Sequence, residues 1–336
     1  MRILYAIQGT GNGHLARAEE IVPHLCEYGK VDLFVSGSQA DIKLPYPVKY
    51  RSKGLSFFFG KNGGIDFIKT FRHNSSKRVL REIREIPVNQ YDLVINDFEA
   101  ISAWACKRQK IPCIALSHQF AMLSPRIPKP KHSDAVGEWF LKNYAPCTDG
   151  IGFHFERYDR CIFTPVIRER IRTLKTSDKG HYLVYLPAFG DQKLLEFLGR
   201  IKGIRWEVFS KHCTSPYHLN GISVQPINNE YFTKTLAGAK GVLCGAGFET
   251  PAEVLHLGKK LMVIPMKNQY EQHLNAAALK ELGVPVIKKL SEKNIAKVEE
   301  WISSGQAPSI HFGESARPAI HRAMGLLEKV RTSRQA

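Results

Sequence analysis

The chain has 336 residues, 43% of them hydrophobic, and its 48 Lys and Arg against 31 Asp and Glu give a formal charge of +17. That hydrophobic share excludes a disordered chain, and at roughly 150 residues per domain the length predicts two domains. The basic excess is spread over both halves, which points to an anionic partner such as a nucleotide or an acidic surface and argues against a dedicated nucleic-acid arm.

Short apolar runs alternate with longer amphipathic stretches, the pattern of parallel strands joined by crossover helices, so the class is α/β. In the first half the spacing predicts strands at 3–7, 31–36, 92–97 and 112–117, with helices near 15–28, 65–86 and 99–109. The pattern restarts with strands at 181–186, 206–210, 241–245 and 260–266, and helices at 191–201, 229–239, 251–257, 270–282 and 292–303. Residues 157–180, charged and without periodicity, read as the linker. Two doubly wound, Rossmann-like domains facing across a cleft follow, with ligands at the carboxyl ends of the strands.

The seven cysteines are odd in number and form no C-x-x-C pair, which suits neither a zinc ribbon nor a disulfide framework and reads as reduced thiols in a cytoplasm. No run reaches the roughly 18 apolar residues of a membrane span, and the N-terminal apolar run lacks a cleavage site, so a cytoplasmic protein is expected.

The first strand runs into QGTGNGH at 8–14. A dinucleotide loop needs G-x-G-x-x-G, whereas Gly9, Gly11 and Gly13 are followed by His14, and the second strand ends without an acid for a ribose. No Gly-Lys pair is followed by Ser or Thr, which excludes a Walker ATPase. The glycines can instead make room for a sugar or an acceptor. A helix N-terminus disfavours a second positive charge, which places His14 to act as a base. The plainer alternative is that Gly13 and His14 complete a turn and a cap.

In the second half a strand ends in Gly245-Ala246-Gly247, whose backbone donors suit a diphosphate. Thr250, Pro251 and Glu253 spell a capping box, with Thr250 as N-cap and Glu253 reaching back. Phe189-Gly190, the turn after the first strand of this half, is a second candidate rest for the leaving group. No D-x-D pair is present, and neither a metal nor another cofactor is expected.

Residues 245–276 resemble the donor-binding segment of GT-B glycosyltransferases of the MurG-like and UDP-glycosyltransferase superfamily. The glycine loop, the acid three places after Thr250, the Gly258 turn, Pro265 and the Gln-x-x-Asn at 272–275 fall in register. TPVIR at 164–168 and QGTGNGH fit the same family, and the resemblance is weak at about 40–90 and 125–160. It implies residues 1–160 as the acceptor half, 161–317 as the nucleotide-sugar half, and a helix in 318–336 packing back on the first. It further implies that Glu253 holds the ribose, that Glu271 and Gln272 touch the sugar, and that Gly11, Asn12, Gly13, His118 and Gln119 lie on the acceptor side. Asp97 falls where relatives place the carboxylate partner of the base; equally it could cap the helix that follows it.

The expected activity is inverting, metal-independent transfer from a nucleotide-diphosphate sugar, a UDP-sugar first of all, to a hydroxyl acceptor, lipid-linked or from a cell-envelope glycan. Phe57 to Phe59 precede a helix carrying Lys69, Arg72, Lys77, Arg78, Arg81 and Arg84, which suits either docking on an anionic membrane or an ordinary solvated face. A non-hydrolysing nucleotide-sugar epimerase shares this fold, and a non-catalytic polyanion-binding protein would explain the charge but not two opposed glycine loops.

Overall fold

A computed structural model of the chain describes residues 1–37, 44–54, 76–131, 134–304, 306–308 and 310–335. The first half contains β1 (Arg2–Gln8), α1 (Asn12–Cys26), β2 (Lys30–Ser36), β3 (Val48–Ser52), α2 (Ser76–Glu85), β4 (Leu93–Asp97), α3 (Ala100–Gln109), β5 (Cys113–Ser117), α4 (His118–Ala121), α5 (Ala135–Asn143), β6 (Asp149–Phe153) and β7 (Ile162–Phe163). Its seven strands run in the order β3-β2-β1-β4-β5-β6-β7, every neighbouring pair parallel. Helices cover both faces of such a sheet, which is why β1, β4 and β5 read as continuous apolar runs rather than alternating ones.

The second half contains α6 (Glu169–Arg172), β8 (His181–Tyr185), α7 (Asp191–Leu198), β9 (Arg205–Ser210), β10 (Tyr217–Leu219), β11 (Ile222–Pro226), α8 (Asn229–Gly238), β12 (Ala239–Gly245), α9 (Glu249–His256), β13 (Lys260–Ile264), α10 (Tyr270–Glu281), α11 (Ile295–Ser304) and α12 (Ala316–Gln335). The sheet order is β10-β11-β9-β8-β12-β13, with the edge pair β10–β11 antiparallel. In each sheet the chain starts centrally, winds outward one way and then crosses to the other side. Crevices therefore open between the carboxyl ends of β1 and β4 and of β8 and β12.

The predicted strands and most helices form. The described part of the helix expected at 65–86 is α2; residues 65–75, with Phe57 to Phe59, Lys69 and Arg72, lie outside the described residues. The chain crosses between halves later than the expected 160/161 boundary, because β7 still pairs with β6. The crossing at 164–168 is no solvated linker: Val166, Ile167 and Arg168 are buried. One apolar cluster runs from Ile3 and Phe153 through Val166 and Ile167 to Val242 and Val254, so the two sheets share a core at the joint.

At the other crossing the chain returns, and α12 packs against α1, β5 and β6. The Thr164 and Ser315 hydroxyls, one on each crossing, lie 2.7 Å apart in a hydrogen bond. Among the described residues no helix is long and apolar enough to cross a membrane.

Candidate active site

The two crevices face each other across a cleft of about 1320 Å³. Its first wall carries Gly11, Asn12, Gly13, His14 and Arg17 after β1, with His118 and Gln119 after β5. The facing wall carries Gly190 after β8, Lys211 and His212 after β9, Gly247, Glu249 and Thr250 after β12, and Glu271 and Gln272 on α10.

β1 and β4 are register neighbours, Ile7 opposite Asp97, so the loop after one meets the last residue of the other. His14, at the third position of α1, places Nδ1 2.9 Å from Asp97 Oδ1. Its other ring nitrogen remains for an acceptor proton, the arrangement by which a carboxylate orients a base. The capping alternative for Asp97 is not realised: Glu99 caps α3, accepting from the amides of Ile101 and Ser102 at 2.7 Å each.

Sequence reading missed Arg17, one helical turn after His14 and on the same face. Its guanidinium, 2% exposed, donates from Nε to Asp97 Oδ2 at 3.2 Å and from Nη2 to both carboxylate oxygens at 2.7 and 3.0 Å. Burial raises the Asp97 carboxyl, but Arg17 and then His14 outweigh it and hold the group below its ordinary range. Arg17 Nη1 meets Glu249 Oε1 from the opposite wall. Burial pushes Glu249 up to about 7 against the pull of Arg17, with Glu253 and Asp97 adding to the rise.

His118 is a tie rather than a free base. Nδ1 contacts the Phe153 carbonyl at 2.7 Å, Nε2 contacts Asn275 Oδ1 at 2.8 Å, and the ring stacks on Phe248 at 3.7 Å. Burial holds its pKa well below the ordinary value. Asn275 also donates to the Ala246 carbonyl at 3.1 Å, so it joins the glycine turn to the acceptor wall. Gln119 reaches Glu271 Oε2 across the cleft at 3.1 Å, and Gln272 accepts from the Met266 amide at 2.8 Å.

Four expectations change. Glu253 does not line the cleft: it is buried and bonded to Arg168 at 2.6 Å, because α9 turns that face toward the interdomain crossing. Burial raises its carboxyl despite Arg168. The capping box does not form, since α9 starts at Glu249 with Phe248 at the N-cap and no side-chain cap, which puts Thr250 inside the helix and on the cleft. Of the glycine turn, Gly247 lines the cleft, whereas Ala246 is buried and Gly245 backs onto the Gln272 amide. Phe189 packs against the second sheet's core and Gly190 takes the cleft position.

Beyond His14 the first wall turns apolar, with Phe98, Phe140 and the rim residues Val136 and Trp139, which are 65% and 67% exposed. Phe98 follows Asp97 directly and holds φ at 55°, a conformation uncommon for an aromatic residue, where it packs on Tyr144 at 4.8 Å. Among the described residues no group of three His, Cys, Asp or Glu could hold a metal ion.

Two doubly wound sheets facing across a cleft, with a His–Asp pair on one wall and a glycine turn on the other, have the architecture of GT-B glycosyltransferases. The model of glycosyl transferase family 1 matches residues 1–304, and the chain belongs to that family. Among solved structures, Phytolacca americana UGT2 complexed with UDP-2fluoro-glucose and pterostilbene is similar at a TM-score of 0.60 and 14% identity, over 96% of this chain and 93% of that one. Arabidopsis thaliana UGT89C1 complexed with UDP gives 0.57 and 13%, over 98% and 94%. Acinetobacter baumannii MurG gives 0.53 and 14%, over 98% and 99%. No curated protein sequence matches.

Proposed function

We propose that the protein moves a sugar from a nucleotide-diphosphate sugar, a UDP-sugar first of all, to a hydroxyl acceptor with inversion and without a metal. The reading is carried by the His14–Asp97 pair, 2.9 Å apart on one wall of the cleft and faced by Gly247 and Thr250 on the other. His14 takes the acceptor proton, and its oxygen attacks the anomeric carbon from the side opposite the leaving diphosphate. The amides at the start of α9 offer that diphosphate oriented donors, and Lys211 and His212 bring further donors to the same wall. UDP-type donors are supported by the nucleotides in the UGT2 and UGT89C1 complexes.

The apolar rim at Val136 and Trp139 supports an acceptor with an apolar portion, such as a lipid-linked or cell-envelope glycan. Peripheral membrane docking is part of the same reading, supported by the exposed Leu80 between basic residues of α2.

The test is a thermal-shift and hydrolysis screen with UDP-, dTDP- and GDP-sugars. A UDP-sugar should stabilise the chain, less so in Thr250→Val, and be slowly hydrolysed by wild type but not by His14→Ala. If no nucleotide sugar binds, the transferase reading fails.

A further inference from the structure

Asp97 is a shared counter-charge for a protonated His14, because its carboxylate is also matched by Arg17 through both oxygens. The Asp97–Arg17 pair is neutral as a unit. Arg17 Nη2 also lies 3.1 Å from His14 Nδ1, where a guanidinium opposes a second positive charge. A compensating charge within reach sits on Glu249, bonded to the remaining nitrogen of the same guanidinium, and it belongs to the other half of the molecule.

We propose that Glu249 is a positioning residue: brought against Arg17 when the nucleotide half closes on the acceptor half, it supplies the negative charge that lets His14 accept a proton. The proposal rests on His14 being the base. In the reaction the acceptor O–H bond breaks and its proton goes to His14. The oxygen's electron pair forms the bond to the anomeric carbon, while the sugar–phosphate bond breaks and its electrons leave with the diphosphate. With Glu249 ionised, the His14–Asp97–Arg17–Glu249 group passes across that step from one net negative charge to none. Without Glu249 it would pass from none to a net positive charge in a buried site, the costlier course.

Three features support the assignment. Glu249 follows Gly247 and Phe248 directly, so it moves with the turn proposed to carry the diphosphate. The contact is built rather than casual: Arg17 is 2% exposed and Glu249 18%, and a Cβ on Gly13 would stand 3.0 Å from Glu249 Cγ. Neighbouring groups fix the same closed arrangement, since Phe248 stacks on His118 and Asn275 bonds to it. The charged and titratable groups about Glu249 are Arg17 and His14 from α1, Asp97 from β4, and Glu253 on its own helix, the last tied to Arg168.

The test uses the full chain and the UDP-sugar that wild type turns over in the screen above. Arg17→Met would strip Asp97 of its partner and threaten the fold, so Glu249→Gln, nearly isosteric, carries the experiment. It should bind UDP within about twofold of wild type by calorimetry and keep the donor KM, while kcat falls about tenfold or more, with Glu249→Asp recovering part of the loss. Wild-type kcat in Glu249→Gln overturns the proposal, and so does a rise in donor KM alone, which would make Glu249 a plain donor contact. If wild type itself turns over no nucleotide sugar, the underlying transferase reading falls, and this proposal with it.

Discussion

Arg17 and His14 share one carboxylate: the guanidinium grips both oxygens of Asp97 while the imidazole takes Oδ1 at 2.9 Å. The two partners should respond differently to mutation. His14→Ala removes one partly exposed contact and should cost less than about 1 kcal/mol in urea denaturation, while transfer falls by roughly 10²–10⁴ with UDP affinity retained. Asp97→Asn leaves a buried guanidinium without its main counter-charge and should cost about 3–5 kcal/mol in the same denaturation series. Equal stability losses in the two variants would contradict this division.

Glu249 makes stability pH-dependent in a stated direction. Its carboxyl stands at about 7 in the folded chain against an ordinary 4.5, so the folded state holds the proton more tightly. The resulting stabilisation is full below about 4.5 and is lost as pH rises through about 7. Glu249→Gln keeps a neutral side chain throughout. Relative to wild type, its Tm should rise steadily between pH 5 and pH 8, corresponding to on the order of 1–3 kcal/mol. A constant difference over that range would show that Glu249 titrates normally.

The glycines of the first loop should separate into three behaviours. A Cβ on Gly9 would meet Val35 Cγ1 at 2.9 Å and the Ser36 carbonyl at 3.0 Å, so Gly9→Ala should destabilise by about 1–3 kcal/mol. Gly11 has open space around it, and Gly11→Ala should leave the melting temperature nearly unchanged. Gly13→Ala presses on Glu249 Cγ alone and should slow turnover several-fold with little loss of stability. Melting curves and steady-state kinetics on the three variants distinguish these outcomes.

Arg168 and Glu253 form a buried pair between the chain crossing and α9. Removing one partner strands the other, so Glu253→Ala should lower stability by about 3–5 kcal/mol, with UDP affinity preserved at temperatures where the variant is folded. Loss of UDP binding in a variant that melts like wild type would return Glu253 to the ribose.

What could be read from the sequence follows physical range. β1, β4, β8 and β12 announce themselves by local runs of apolar residues, and the glycine turns by composition, so both crevices were legible. His14 was legible because the turn and helix around it lie within a few residues. Arg17 was not: on a helix an arginine reads as solvated, and its ion-pair partners, Asp97 and Glu249, stand 80 and 232 positions away. The capping signals misled for a related reason. Asp97, Thr250 and Glu253 all suit helix starts locally, yet Glu99 caps α3 and no side chain caps α9: Arg17 and Arg168 hold Asp97 and Glu253, and Thr250 falls inside its helix.

The bond between Thr164 and Ser315 bears on how the cleft can move. The nucleotide half is attached at two adjacent points rather than strung on one, and a hydroxyl–hydroxyl hydrogen bond ties the two chain segments side by side. Two adjacent attachments favour a swing about the line of the joint over a twist around the chain axis. Each opening and return would therefore follow nearly the same arc, and the partners at residues 17 and 249 would meet again in register after every excursion.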